Sequence, residues 1–126
     1  MKFERCPFVE MPDGKIVRMY PFHISMEGME SKILCRNDED YDVFIKTLVL
    51  ITYKKFSSVA VYCVVSNHAH YILLTHSYFT ALEIANEVKR IYSMYLTKKY
   101  SEKKVLKGID VSVILIDSDR YLRNAI

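Results

Sequence analysis

The stretch Ser58 to Thr75, SVAVYCVVSNHAHYILLT, restricts the fold more than any other part of the chain. Val59 to Val65 is β-branched and aromatic with no charge, Ser66-Asn67 interrupts it, and Tyr71 to Leu74 resumes the same character, so the pair reads as a hairpin. His68 and His70 stand two residues apart at the start of the second strand. Side chains on a strand alternate between faces, so both imidazoles project from one face, about 7 Å apart along the backbone. Two neutral rings so placed can share a divalent cation, since each offers a lone pair and nitrogen suits zinc, nickel, manganese or iron. The same spacing also describes two half-exposed polar positions, and two histidines do not complete a metal site. Spacing alone leaves both readings open.

A chain of 126 residues is expected to form one domain with a real hydrophobic core. Its net charge of +3 is compatible with a polyanionic partner without arguing for one. Cys6, Cys35 and Cys63 are odd in number and lack CxxC spacing, and Cys63 lies within an apolar strand. Reduced, buried thiols in a cytoplasmic protein are the expectation. MKFERCPFVEMPDG has no apolar centre to serve as a signal peptide, and no run approaches a membrane span, so no membrane partner is expected.

In chain order, residues 1–14 read as an amino-terminal arm or short edge strand closed by the turn signal Pro12-Asp13-Gly14. Lys15 to Ser25 reads as the first main strand, with Pro21 predicting an irregularity partway, and Glu27-Gly28 reads as a loop. Asn37 can cap a helix whose first turn is acidic (Asp38, Glu39, Asp40) and whose apolar positions Tyr41, Phe44, Ile45, Leu48, Val49 and Thr52 recur at helical spacing up to Lys54-Lys55. After the hairpin a second helix is predicted from Ser77–Thr80 to about Tyr100, with the stripe Leu82, Ala85, Val88, Ile91, Tyr92, Tyr95 and Leu96. Its basic later turns suit either a solvated helix end or phosphate contact. Ser101 to Gly108 reads as a basic loop, Val111 to Ile116 as a central buried strand, and Asp117-Ser118-Asp119 as the cap of a final short helix. The predicted class is α+β: a ferredoxin-like split βαβ with a four-stranded antiparallel sheet and two helices on one face. Such an architecture does not name a function.

Several segments in register point further. YPFHISMEGMESKILCRNDEDYDVF, then VAVYCVVSNHAHYILL, then LIDSDRYLRNAI, resemble the IS200-like single-tyrosine (HUH-type) transposases, in particular the subgroup associated with repetitive extragenic palindromes (REP). The resemblance spans Tyr20 to Ile126. It implies chemistry on single-stranded or hairpin DNA, with His68 and His70 as catalytic metal ligands for Mg2+ or Mn2+, a tyrosine nucleophile, a homodimer, and no nucleotide cofactor. Lys89, Arg90, Lys98, Lys99, Lys103 and Lys104 are the candidate phosphate contacts. A cation beside a phosphate helps a phenol, a poor nucleophile at neutral pH, to attack it.

The departures are specific. The family's nucleophile follows the Tyr-Leu pair represented by Tyr121-Leu122, and its third ligand comes one helical turn later, so both are expected beyond Ile126. Tyr95 is a substitute nucleophile or a packing residue. Glu27-Gly28 stands where the family carries Arg-Gly, putting a repelling charge in place of a phosphate contact. His23 matches a family position in the first strand and reads either as a neighbour of the site or as a packed or surface residue, and His76 has no assigned role. Two functions remain: a metal-dependent DNA strand-transfer protein lacking its nucleophile, or a non-catalytic domesticated descendant that binds nucleic acid or protein.

Overall fold

A computed structural model describes residues 7–28, 33–100 and 109–116. Cys6, Lys103, Lys104 and the helix expected from Asp117, with Tyr121-Leu122, lie outside the described residues.

The amino-terminal arm is a small hairpin of its own. β1 (Phe8–Glu10) pairs antiparallel with β2 (Ile16–Arg18). Gly14 closes the turn with φ +87°, a conformation open to glycine at little cost, and its N–H reaches the Met11 carbonyl at 2.9 Å. The chain then passes through buried Met19 into β3 (Tyr20–Gly28). The strand expected over Lys15 to Ser25 is therefore two strands in two sheets. The break falls at Met19 and not at Pro21, which sits near the start of β3 opposite Leu74. Glu27 and Gly28, read as a loop, continue β3 because partners on both sides pair with it: His68 with Glu27, and Asp110 and Ile109 with Glu27 and Gly28.

α1 (Asp38–Lys54) begins as its sequence predicts, with the Asn37 side chain accepting from the Asp40 N–H at 3.0 Å. Phe44, Leu48 and Ile51, spaced by four and three, are buried, whereas Val49 and Leu50 face outward, each about half exposed. The helix ends in a Schellman motif: Ser57 N–H reaches the Thr52 carbonyl at 3.1 Å and Phe56 N–H the Tyr53 carbonyl at 3.0 Å, with Phe56 in the left-handed region at φ 55°. β4 (Ser58–Val64) and β5 (His68–Thr75) form the predicted hairpin, with an irregularity between Val59 and Val61. α2 (Tyr78–Tyr100) starts where the Ser77 hydroxyl accepts from the Thr80 N–H at 3.1 Å. Its inward face is Ala81, Ile84, Ala85, Val88, Tyr92 and Leu96, shifted slightly from the expected stripe, with Leu82, Ile91 and Tyr95 on its flanks. β6 (Ile109–Leu115) completes the sheet.

The strand order is β4-β5-β3-β6, antiparallel throughout. Four strands and two helices in a β-α-β-β-α-β order are the predicted α+β architecture. Two expectations fail on position within the sheet. β6 is an outermost strand, not a central one, and its residues alternate in exposure. β4 is outermost on the other side, so Cys63 is exposed, while Cys35 is buried as expected. The core lies between the sheet face of Ile24, Met26, Ala69, Tyr71 and Leu73 and the inward faces of both helices. Phe44 meets Tyr92 edge to face at 5.0 Å between ring centroids, and the Tyr92 hydroxyl donates to the Leu34 carbonyl, so this core aromatic has its polar tip satisfied.

A histidine cluster as candidate functional site

Register decides what shares a face. In an antiparallel pair, directly opposed residues project to the same side. His70 lies opposite Ser25, His68 opposite Glu27, and His23 opposite Ile72. On the outer neighbours, Cys63 lies opposite His70, and Asp110 and Ser112 lie opposite Glu27 and Ser25. The intervening residues Ile24, Met26, Ala69 and Tyr71 are the ones buried in the core with the helices. His23, Ser25, Glu27, His68 and His70 therefore occupy the sheet face that neither α1 nor α2 covers.

The rings meet there. His68 and His70 have centroids 5.0 Å apart, edge to face, and His23 stacks on His70 at 5.4 Å with an interplanar angle of 24°. His68 Nδ1 is 2.8 Å from Asn67 Oδ1. An amide oxygen only accepts, so His68 Nδ1 carries the hydrogen and its Nε2 keeps a lone pair. His70 Nδ1 is 3.2 Å from both His23 Nε2 and Ser25 Oγ. Partial burial, and then the charge of His70, hold the pKa of His23 below its ordinary value. Burial lowers that of His70 as well, helped by His68 and opposed by Glu27. Both shifts favour the uncharged form of His23 and His70, in which a ring nitrogen keeps a lone pair.

The donors fit part of a divalent cation's shell. Two imidazoles on one face supply two positions, but among the described residues no three His, Cys, Asp or Glu side chains are placed to hold an ion together. The remaining positions would fall to water or substrate oxygens, as hard cations commonly accept. Glu27, with Asp110 beside it in register, makes this end of the face acidic.

No protein-family model matches the chain, and no curated protein matches it in sequence. Solved structures do match in shape. A candidate transposase from Deinococcus radiodurans R1 aligns with a TM-score of 0.60 at 13% identity, covering 86% of this chain and 92% of that one. A REP-associated tyrosine transposase bound to a REP hairpin aligns with a TM-score of 0.54 at 11% identity, covering 98% of this chain and 67% of that one. This chain shares the fold of these two solved proteins.

Within this fold, the basic residues of α2 stand on the layer opposite the histidines. Lys99, expected as a phosphate contact, is committed inside the fold: its Nζ donates to Asp40 at 2.8 Å and to Asn37 at 3.2 Å. Arg90 is paired with Glu87 and lines a groove between α1 and α2 with Ile51, Lys54 and Lys55. Lys98 is exposed and Lys89 half-buried. Tyr95 donates to Asp40 at 2.7 Å, and burial, reinforced by that bond, pushes its pKa up to about 12. A phenol so held ionises less readily than a free one, and its hydroxyl is engaged with Asp40 and Lys99.

One feature was open in the sequence as an alternative, and one escaped it. His23 joins the cluster because β3 and β5 are neighbours, and its alternation in YPFHIS was the available signal. Asp40 is fully buried and accepts from Tyr95, Lys99, Tyr100 at 2.6 Å and the Arg36 N–H at 2.9 Å, tying the start of α1 to the end of α2. In sequence it looked like one of three acidic residues at a helix start. Among the described residues no helix is long and apolar enough to cross a membrane.

Proposed function

We propose that this is a transposase-like protein that receives single-stranded, hairpin-bearing DNA on the histidine face and acts there with Mg2+ or Mn2+ held by His68 and His70. The observation that supports it best is that both rings share one face outside the helix layer, with His68 locked to present Nε2. When bound, the cation would supply Lewis acidity to a scissile phosphate. The chain's part is to hold the two imidazoles in place on the sheet face that neither α1 nor α2 covers. The full reaction is phosphoryl transfer: a tyrosine oxygen bonds to phosphorus, the bond to the 3′-oxygen breaks, and the phenolic proton leaves. The phosphotyrosine conserves the phosphodiester's energy, so rejoining needs no nucleotide cofactor. The outermost strand β4, with Cys63 exposed on it, offers the edge on which a homodimer would pair, and the cytoplasm is where such DNA is met.

A non-catalytic binding module is the second reading, favoured by the incomplete donor set and by Glu27. Manganese titration followed by electron paramagnetic resonance, with and without a hairpin-bearing oligonucleotide, separates the two. Under the first reading the protein takes up Mn2+, and His68→Ala or His70→Ala abolishes uptake and any covalent DNA adduct. Parental uptake in both variants would overturn the assignment, and salt-sensitive hairpin binding without Mn2+ uptake would support the second reading.

A further inference from the structure

The contacts of His70 differ from those of His68. His68 is fixed by an amide oxygen, whose role is unambiguous, whereas His70 Nδ1 faces a hydroxyl and a second imidazole, each 3.2 Å away and each able to donate or accept. If Nδ1 accepted, its hydrogen would sit on Nε2 and block that nitrogen from any cation. The His23 ring stacks against His70 at an interplanar angle of 24°, which sets its Nε2 beside His70 Nδ1. We propose that His23 is a positioning residue: its Nε2 accepts the His70 Nδ1 hydrogen, with Ser25 Oγ as a second acceptor, so that His70 presents a free Nε2 alongside that of His68.

The three residues then form a graded arrangement. Asn67 sets the tautomer of His68, and His23 with Ser25 sets that of His70. Ligand histidines commonly have the second nitrogen held in this way, and removing the partner commonly weakens metal affinity by tenfold or more. His23 itself needs no bond to the cation, which agrees with the lack of a three-residue ligand group among the described residues. The inference rests on the proposed role of His68 and His70, but its test does not.

Nitrogen-15 NMR of histidine-labelled protein without metal reads the tautomer directly. In the parental chain His70 should carry its hydrogen on Nδ1. His23→Ala should move it substantially to Nε2 and weaken Mn2+ affinity about tenfold. His23→Gln, whose amide oxygen can accept the same hydrogen, should restore both, a rescue that a merely space-filling role would not give. A parental His70 with its hydrogen on Nε2, or a tautomer unmoved by His23→Ala, would overturn the inference. If the tautomer shifts as stated but no variant binds Mn2+, the positioning role stands and the metal reading fails.

Discussion

Asp40 is the residue whose removal should hurt most. Its burial alone would raise its pKa, but hydrogen bonds from Lys99, Tyr100, Tyr95 and the Arg36 N–H outweigh that and hold the carboxyl far below the usual range. A buried anion with four donors is stable only while all are present, and deleting it strands Lys99 and two phenols. Asp40→Ala should cost about 3 kcal/mol in chemical denaturation, whereas Lys98→Ala, at an exposed site nearby, should cost under about 0.5 kcal/mol. The sign of the pH dependence follows from the depressed folded-state value. The contribution of Asp40 is fully present above the unfolded carboxyl pKa, about 3.9, and is lost as pH falls below it toward the lower folded value. From about pH 5 downward the parental protein should therefore lose stability faster than Asp40→Asn, as a denaturation series across pH would show.

At the scale of elements, the end of α1 holds a strained residue. Phe56 has a side chain where the left-handed conformation favours glycine, and its ring is half exposed, so little burial compensates. Phe56→Gly should relieve about 1 kcal/mol of backbone strain, partly offset by the added freedom of the unfolded chain, for a net gain of about 0.5 kcal/mol by denaturant titration. A loss of 1 kcal/mol or more would show that the ring has a packing role. Elements like this one also show what the sequence could convey. Asn37, the acidic first turn and the spacing of Phe44 and Leu48 announce α1, because caps and periodicity are local. The apolar run of β6 and the place of Cys63 in β4 misled, because composition reports that a strand has an apolar face but not whether a neighbour lies beyond it. Glu27-Gly28 looked like a loop for the same reason, its pairing partners being remote in sequence. That His68 and His70 share a face was legible from alternation alone. The place of His23 stayed one alternative among others, since strand order is what brings it beside His70.

For the whole molecule, the separation of layers carries the functional consequence. The histidines lie on one side of the sheet, while Lys99 and Arg90 are engaged on the helix side. If DNA lies on the histidine face, Glu27→Lys should strengthen binding of a single-stranded hairpin probe. It should also steepen the dependence of log affinity on log salt by about 0.7 for one added phosphate contact. Lys98→Glu should change affinity less than Glu27→Lys. Anisotropy titrations at several salt concentrations would check both, and the reverse ranking would move the DNA to the helix side. The kink that β4 makes between Val59 and Val61 has a protective side. An outermost strand with Val61 and Tyr62 exposed invites open-ended stacking of copies into fibrils. One supernumerary residue throws the main-chain donors and acceptors out of step, so an approaching molecule finds only a brief matching rung sequence and addition stops at a finite assembly.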